Sequence, residues 1–187
     1  MQFIPLKNHV PHVISMGDKV HLQIPAHVHK QIYIEFAKRN RSFHEPWVYV
    51  PSDPNYFDQY VRRIKLGGTL GVFVFSNDSN ELIGVINLNS IKLDPFSSAT
   101  LGYYGEQMLS GQGLMKEAIN LVLNHAFKNI GLNRVEANIQ PKNEASIALV
   151  KACGFTYEGF SKKFLKIGND YKDHERWSYL AEYFKLH

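Results

Sequence analysis

The chain has 187 residues, of which 44% are hydrophobic and 20% charged, and its formal net charge is +4. This composition is typical of a folded globular protein and excludes a disordered chain. A single cysteine excludes an internal disulfide framework and a multi-cysteine zinc site, and we expect no metal.

The first half of the chain predicts a strand, two helices and a hairpin. "KVHLQIP" favours a strand, and a helix is expected over residues 25–40, opening at a proline. Residues 41–55 contain three prolines and are expected to form a loop. A second helix should begin at Pro54, capped by Asp53, and end at the following glycines. "TLGVFVFS" and "LIGVINLNSI" then predict a hairpin.

The second half predicts alternating strands and helices. "SATLGYYGEQ" and "RVEANIQP" are typical of strands, and helices are expected over residues 114–131 and 142–154. Two final strands flank a "GND" turn. The order β-α-α-β-β-β-α-β-α-β-β indicates an α/β (α+β) fold, a mixed sheet with helices packed on it.

"SGQGLM" places Gly111 and Gly113 where a strand passes into an amphipathic helix. The N–H groups at a helix start favour anions, and a residue without Cβ lets the backbone approach a phosphate closely. The alternative is a plain turn into the helix with no ligand.

Three blocks in order carry a resemblance to a known family: "LGYYGEQMLSGQGLMKEA", "LNRVEANIQPKNEASIALVKACGFTYEGF" and "YKDHERWSYL". They resemble the GCN5-related N-acetyltransferases (GNAT), and among these the RimJ/RimL-type ribosomal-protein N-terminal acetyltransferases. The resemblance implies a mostly antiparallel twisted sheet of six to seven strands with about four helices. It also implies an acetyl-CoA-dependent N-acetyltransferase that transfers acetyl directly to an amine.

By the same resemblance, the loop before the long helix wraps the pyrophosphate of acetyl-CoA, and "LGYYG" runs beside the pantetheine arm. Met108 stands where the family has Gln or Arg. The strand is expected to bulge at Gly105 or Glu106 and to diverge from the next strand. The cofactor-binding residues so implied are Tyr103, Tyr104, Gly105, Leu109, Ser110, Gly111, Gln112, Gly113, Leu114, Met115, Asn143 and Ser146.

Amine acetylation needs a group that accepts a proton from the amine and a group that donates one to the leaving thiolate. Glu106 is the candidate base, with an exposed loop carboxylate as the alternative. The resemblance to the RimL-type enzymes implies Ser146 as the acid, and Tyr157 and Tyr171 are alternatives. Cys153 could be an acyl carrier, but its position on a helix stripe favours a small buried side chain.

By the same resemblance, the acceptor side is expected in the loop after the first helix, where Glu45 would attract a cationic amine and Trp47 would form the floor of the pocket. The alternative for Trp47 is that it covers the core. Asn87 and Asn89 alternate to one strand face, where they could bind a substrate backbone or could equally face solvent. The expected acceptor is a protein N-terminus, such as that of a ribosomal protein; a small amine or a non-catalytic acyl-CoA-binding role are the alternatives.

The basic residues are scattered, so direct nucleic-acid binding is not expected. No apolar stretch approaches ~20 residues and the N-terminus lacks the features of a signal peptide. We therefore expect no membrane association and a cytoplasmic location, as a monomer or homodimer. The chain should form a single domain over residues 1–187, with an N-terminal extension at 1–17.

Overall fold

An eight-stranded sheet forms the centre of the protein in the computed structural model, which describes residues 11–184. The strands are β1 Val13–Met16, β2 Val20–Gln23, β3 Leu70–Ser76, β4 Leu82–Lys92, β5 Ser98–Gly105, β6 Arg134–Ile139, β7 Thr156–Ile167 and β8 Asp170–Leu180. The helices are α1 Lys30–Arg39, α2 Arg41–His44, α3 Pro54–Leu66, α4 Leu114–His125, α5 Glu144–Ala152 and α6 Ala181–Phe184. A π-helical turn, Ala126–Ile130, continues α4.

The strand order is β1-β2-β3-β4-β5-β6-β8-β7. Neighbours pair antiparallel except β5 and β6, which are parallel. The expectation of a mixed, mostly antiparallel sheet flanked by helices is therefore confirmed.

Helices cover both faces of the sheet. Phe73 of β3 is fully buried and packs on Tyr33 of α1 and on Phe57 of α3. On the opposite face, a Cβ at Gly84 of β4 would meet the side chain of Met115 in α4. Because side chains alternate along a strand, α1 and α3 lie on one face, and α4 and α5 lie on the other.

Local sequence signals set several element ends. The Asp53 carboxylate accepts hydrogen bonds from the N–H groups of Asn55 and Tyr56, at 2.9 and 3.0 Å, as a helix cap does. Gly67 and Gly131 follow their helices with φ of 85° and 82°, a backbone conformation that glycine adopts without strain.

Two elements differ from the prediction. Strand β1 lies in the predicted N-terminal extension and pairs with β2; residues 1–10 of that extension lie outside the described residues. Helix α2 and the turn after it occupy the start of the predicted loop, since His44 N–H bonds to the Asn40 carbonyl and Val48 N–H to the His44 carbonyl. Within residues 11–184, no helix is long and apolar enough to span a bilayer.

Candidate functional site

Strands β5 and β6 separate partway along their length. Their parallel pairing runs from Ser98↔Arg134 to Leu101↔Ala137. Strand β5 continues to Gly105 while it stays paired with β4, up to Gly84↔Gly105. Beyond Leu101, the edge of β5 that faced β6 therefore borders a gap.

Strand alternation determines which main-chain groups face this gap. The N–H of Glu106 donates to the Ile83 carbonyl of β4 at 2.8 Å, so the main-chain groups of Tyr104 also point to β4 and those of Tyr103 and Gly105 point to the gap. Tyr104, expected to bind the cofactor, therefore does not offer its main-chain groups to the gap. The predicted bulge at Gly105 or Glu106 is also wrong, because the β4–β5 register is regular there and shifts only between Asn89 and Lys92.

The gap opens into a cleft of about 550 Å³ between the ends of β5, α2, α4 and α5. Most of the residues expected at a cofactor or acceptor site line it together. They are Trp47, Tyr103, Tyr104, Gly105, Glu106, Leu109, Ser110, Gly111, Gly113, Leu114, Met115, Asn143 and Ser146.

The glycine loop forms one end of the cleft. Gly111 and Gly113 both have φ of +80°, and no heavy atom lies within 4 Å of the place a Cβ would take on either. The first bond of α4 runs from Glu117 N–H to the Gly113 carbonyl, so the N–H groups of the preceding residues are not used inside the helix. This arrangement is suited to an anion.

Lys116 also lines the cleft, in the first turn of α4 just after the glycine loop. It was not predicted, although its position just after the glycine loop was a usable signal. Met108 is 82% exposed in the turn Gln107–Leu109, so its side chain points to solvent. The main-chain amides, not the residue at 108, are thus available to hold an anion.

Helix α5 forms a second wall. Asn143 caps it by accepting the N–H of Ser146 at 3.1 Å, and the Tyr103 hydroxyl donates to the Ser146 carbonyl at 3.2 Å. Burial raises the pKa of Tyr103. The exposed Ala145 and Ala148 line the cleft, so the small side chains of α5 leave space there instead of packing in the core.

Glu106 lies at the end of β5 and is held by two donors. Its Oε2 accepts Arg39 Nε at 2.6 Å and Asn40 Nδ2 at 2.9 Å. Asn40 also accepts the N–H of Gln107 through Oδ1. Glu106 is therefore not the exposed loop carboxylate considered above; it joins the end of α1 to the end of β5.

His44 is a cleft residue that sequence reasoning did not single out. Its Nε2 lies 2.8 Å from the Gly105 carbonyl, 61 residues away in the chain. A carbonyl only accepts, so Nε2 carries the proton. Burial lowers the pKa of His44, although the Gly105 carbonyl and Glu106 oppose this. Among the described residues, its Nδ1 is buried without a hydrogen-bond partner.

Four predicted residues are absent from the described cleft lining. Glu45 is exposed and pairs with Arg41 at 2.6 Å, one helical turn away. Asn87 accepts the Tyr60 hydroxyl at 2.8 Å on the α3 face, and Asn89 alternates to that face too. Gln112 is exposed at the tip of the glycine loop. The predicted substrate-binding roles of Glu45, Asn87 and Asn89 are thus not supported by the geometry, because each side chain points away from the cleft.

The remaining candidates for acid or nucleophile lie outside the described cleft lining. Tyr157 and Tyr171 are exposed on the β7–β8 hairpin. Cys153 is buried, and burial raises the pKa of its thiol to about 11, which opposes a nucleophilic role.

Comparison with known proteins places these features in context. The family model described as "Acetyltransferase (GNAT) domain" matches residues 24–156. The ribosomal protein uS5 alanine N-acetyltransferase of Escherichia coli (strain K12) is 30% identical over 148 residues, which cover 75% of this chain and 76% of that protein.

Two solved structures share the fold. The ribosomal-protein-S5-alanine acetyltransferase from Vibrio fischeri superposes with a TM-score of 0.82 at 24% identity, over 92% of this chain and 97% of that one. Mycobacterium smegmatis RimJ in complex with CoA-disulfide superposes with a TM-score of 0.80 at 22% identity, over 88% and 83%.

Proposed function

This chain belongs to the GNAT acetyltransferases, and we propose that it transfers the acetyl group of acetyl-CoA directly to the N-terminal α-amino group of a protein, such as a ribosomal protein. The observation that carries the proposal is the free edge of β5 leading to the glycine loop at the start of α4. An extended arm and an anionic group can bind there together.

The residues present fit such a donor. Main-chain groups of Tyr103 and Gly105 would pair with the amides of the pantetheine arm, as an added strand does. The amides around Gly111 and Gly113, with Lys116, would hold the pyrophosphate. When bound, acetyl-CoA supplies an acetyl thioester, the activated acyl group that an amine attacks. The RimJ structure of similar fold, which contains CoA-disulfide, supports this choice.

Glu106 and Ser146 are the proposed proton-transfer groups. An α-amino group has a pKa of about 8, so a substantial fraction is neutral near neutral pH and modest help suffices. Glu106 lines the cleft and would accept the proton of the amine, with Arg39 and Asn40 fixing its carboxylate. Ser146, which lines the cleft on α5, would donate its hydroxyl proton to the departing thiolate and take up a proton from water.

A protein N-terminus suits the acceptor side better than a polycation. Phe43, Trp47 and Val48 line it with apolar surface. Among the described residues, Glu106 is the one carboxylate in the cleft lining, and it is already paired with Arg39. A small polyamine would need unpaired acidic groups at this place. The similarity to the Escherichia coli alanine N-acetyltransferase supports the same choice.

An acceptor panel tests the function. Short peptides beginning with Ala, Ser or Met are compared with polyamines and free amino acids, each with acetyl-CoA, and the release of CoA thiol is measured. We expect acetylation of at least one peptide and little of the small amines. Acetylation of small amines alone would refute the proposed acceptor, and no turnover with any amine would refute the transferase assignment.

A further inference from the structure

Residues 43–48 lie across the open end of the gap between β5 and β6. His44 holds the carbonyl of Gly105, the last residue of β5. Three residues later, the Trp47 carbonyl accepts the side-chain N–H of Gln140, which directly follows β6. The 43–48 segment therefore connects the two strand ends beyond the point where they separate.

The segment between these two contacts is a hydrogen-bonded turn. The Trp47 and Val48 N–H groups both donate to the His44 carbonyl at 2.9 Å. A displacement at one contact is thus passed to the other. Phe43 and Trp47 line the cleft.

Gln140 is also held by a main-chain hydrogen bond within its own turn. Its own carbonyl accepts the Asn143 N–H at 2.9 Å in the turn between β6 and α5. Its Nε2 lies 3.0 Å from the Trp47 carbonyl, 93 residues away in the chain. Gln140 does not itself line the cleft within the described part of the chain, so it can act only through the residues it holds.

We infer that Gln140 is a positioning residue for the acceptor: its hydrogen bond to the Trp47 carbonyl keeps Phe43 and Trp47 as a fixed wall across the mouth of the cleft. The inference rests on the proposed function, since it assigns that wall to the acceptor amine. Without the bond, the wall loses its contact with β6, while the glycine loop and the β5 edge are untouched. Acceptor binding should weaken and donor binding should not.

Three variants separate this role from a general structural one. Gln140→Leu removes the donor, Gln140→Lys keeps a donor of comparable reach, and Gln31→Leu removes an exposed glutamine of α1 as the matched control. With an alanine-first peptide and saturating acetyl-CoA, Gln140→Leu should raise the KM for the peptide about 3- to 10-fold, the equivalent of one hydrogen bond. The kcat and the acetyl-CoA Kd should stay near the wild-type values, and Gln140→Lys should restore the KM. An unchanged KM, or a parallel rise of the acetyl-CoA Kd, would overturn the inference.

A second measurement does not depend on the acceptor. The chain has two tryptophans, and Trp177 is only 5% exposed, so acrylamide quenching reports mainly on Trp47. The quenching constant should rise in Gln140→Leu and return in Gln140→Lys; an unchanged constant would refute the role of the bond. If the quenching constant rises in Gln140→Leu while the wild type acetylates no peptide, the hydrogen bond does hold Trp47. In that case the proposed acceptor, and not the role of the bond, is refuted.

Discussion

Gly111 and Gly113 show at the scale of single residues how the backbone prepares an anion site. Both adopt φ of +80° beside open space, a conformation that costs roughly 1 kcal/mol or more for a residue with a Cβ. Their side-chain-free surface faces the cleft where α4 begins. The same conformation at a remote glycine would have no effect on a ligand, and this contrast can be tested.

Gly111→Glu should weaken acetyl-CoA binding at least about 100-fold, because a carboxylate would repel the pyrophosphate and displace the amides that hold it. Gly168→Glu is the matched control: Gly168 has φ of +61° and open space around it, in the β7–β8 turn. The Gly168→Glu variant also places a charged side chain at a positive φ, but it should keep the wild-type affinity for acetyl-CoA. Isothermal titration measures both, and equal affinities for the two variants would contradict the loop assignment.

Glu106→Gln should slow turnover about 10²-fold, the low end of general-base effects, and leave acetyl-CoA affinity nearly unchanged. Steady-state rates with an alanine-first peptide measure this. Glu45→Gln is the control, since Glu45 also pairs with an arginine but on the outer surface. A wild-type rate in Glu106→Gln would contradict the role of Glu106 as base. The carboxylate would then serve only to link Arg39 and Asn40 to the end of β5.

At the scale of elements, helices α3 and α5 begin with the same type of side-chain cap, but only the cap of α5 lies at the cleft. Asp53 caps α3, which packs against the sheet on the face away from α4 and α5. Asn143 caps α5, whose first turn lines the cleft and carries the Ser146 carbonyl held by Tyr103. A lost cap should therefore affect stability in both cases and ligand binding in one.

Asp53→Ala and Asn143→Ala should each lower the free energy of unfolding by about 1 kcal/mol. Urea denaturation measures this. Only Asn143→Ala should also weaken acetyl-CoA binding, by about 3- to 10-fold, because it loosens a wall of the cleft. If both variants keep full affinity, the start of α5 does not contribute to the donor site.

At the scale of the whole molecule, we expect two buried histidines and a half-buried one to make stability depend on pH. Burial lowers the pKa of His29, His44 and His125. At His29, protonation would also remove the Nδ1 acceptor of the Ala26 N–H, which lies 3.2 Å away. The histidines stay neutral in the folded protein at pH values where they take up protons in the unfolded chain.

The free energy of unfolding should therefore be fully maintained above pH of about 6.5 and should decrease as the pH falls from about 6.5 to 5, where the unfolded histidines bind protons. The pKa values of Asp58 and Glu158 are lowered by their hydrogen bonds to Lys30 and Arg134. The contribution of these carboxylates to the free energy of unfolding is therefore lost only below about pH 4.5. Urea denaturation at pH 7.5 and 5.5 measures the difference. His29→Gln should reduce the loss, and a flat or rising stability toward pH 5.5 would contradict the assignment.

The sequence by itself determined the features that depend on neighbours in the chain. Asp53 beside Pro54, the glycines after α3 and α4, and the glycine loop before α4 act through local backbone conformation and helix-end hydrogen bonds. Strand and helix patterns, with three blocks of family resemblance, were enough to predict the mixed sheet and the GNAT membership.

Only the tertiary structure decided how the site is assembled. The pairing of Glu106 with Arg39 spans 67 residues, the contact of His44 with Gly105 spans 61, and that of Gln140 with Trp47 spans 93. The pairing of β1, the exposure of Glu45 and the contact of Asn87 with Tyr60 likewise depend on which surfaces meet. Contacts between residues far apart in the chain follow from packing of the sheet and helices, and no local pattern of residue types encodes them.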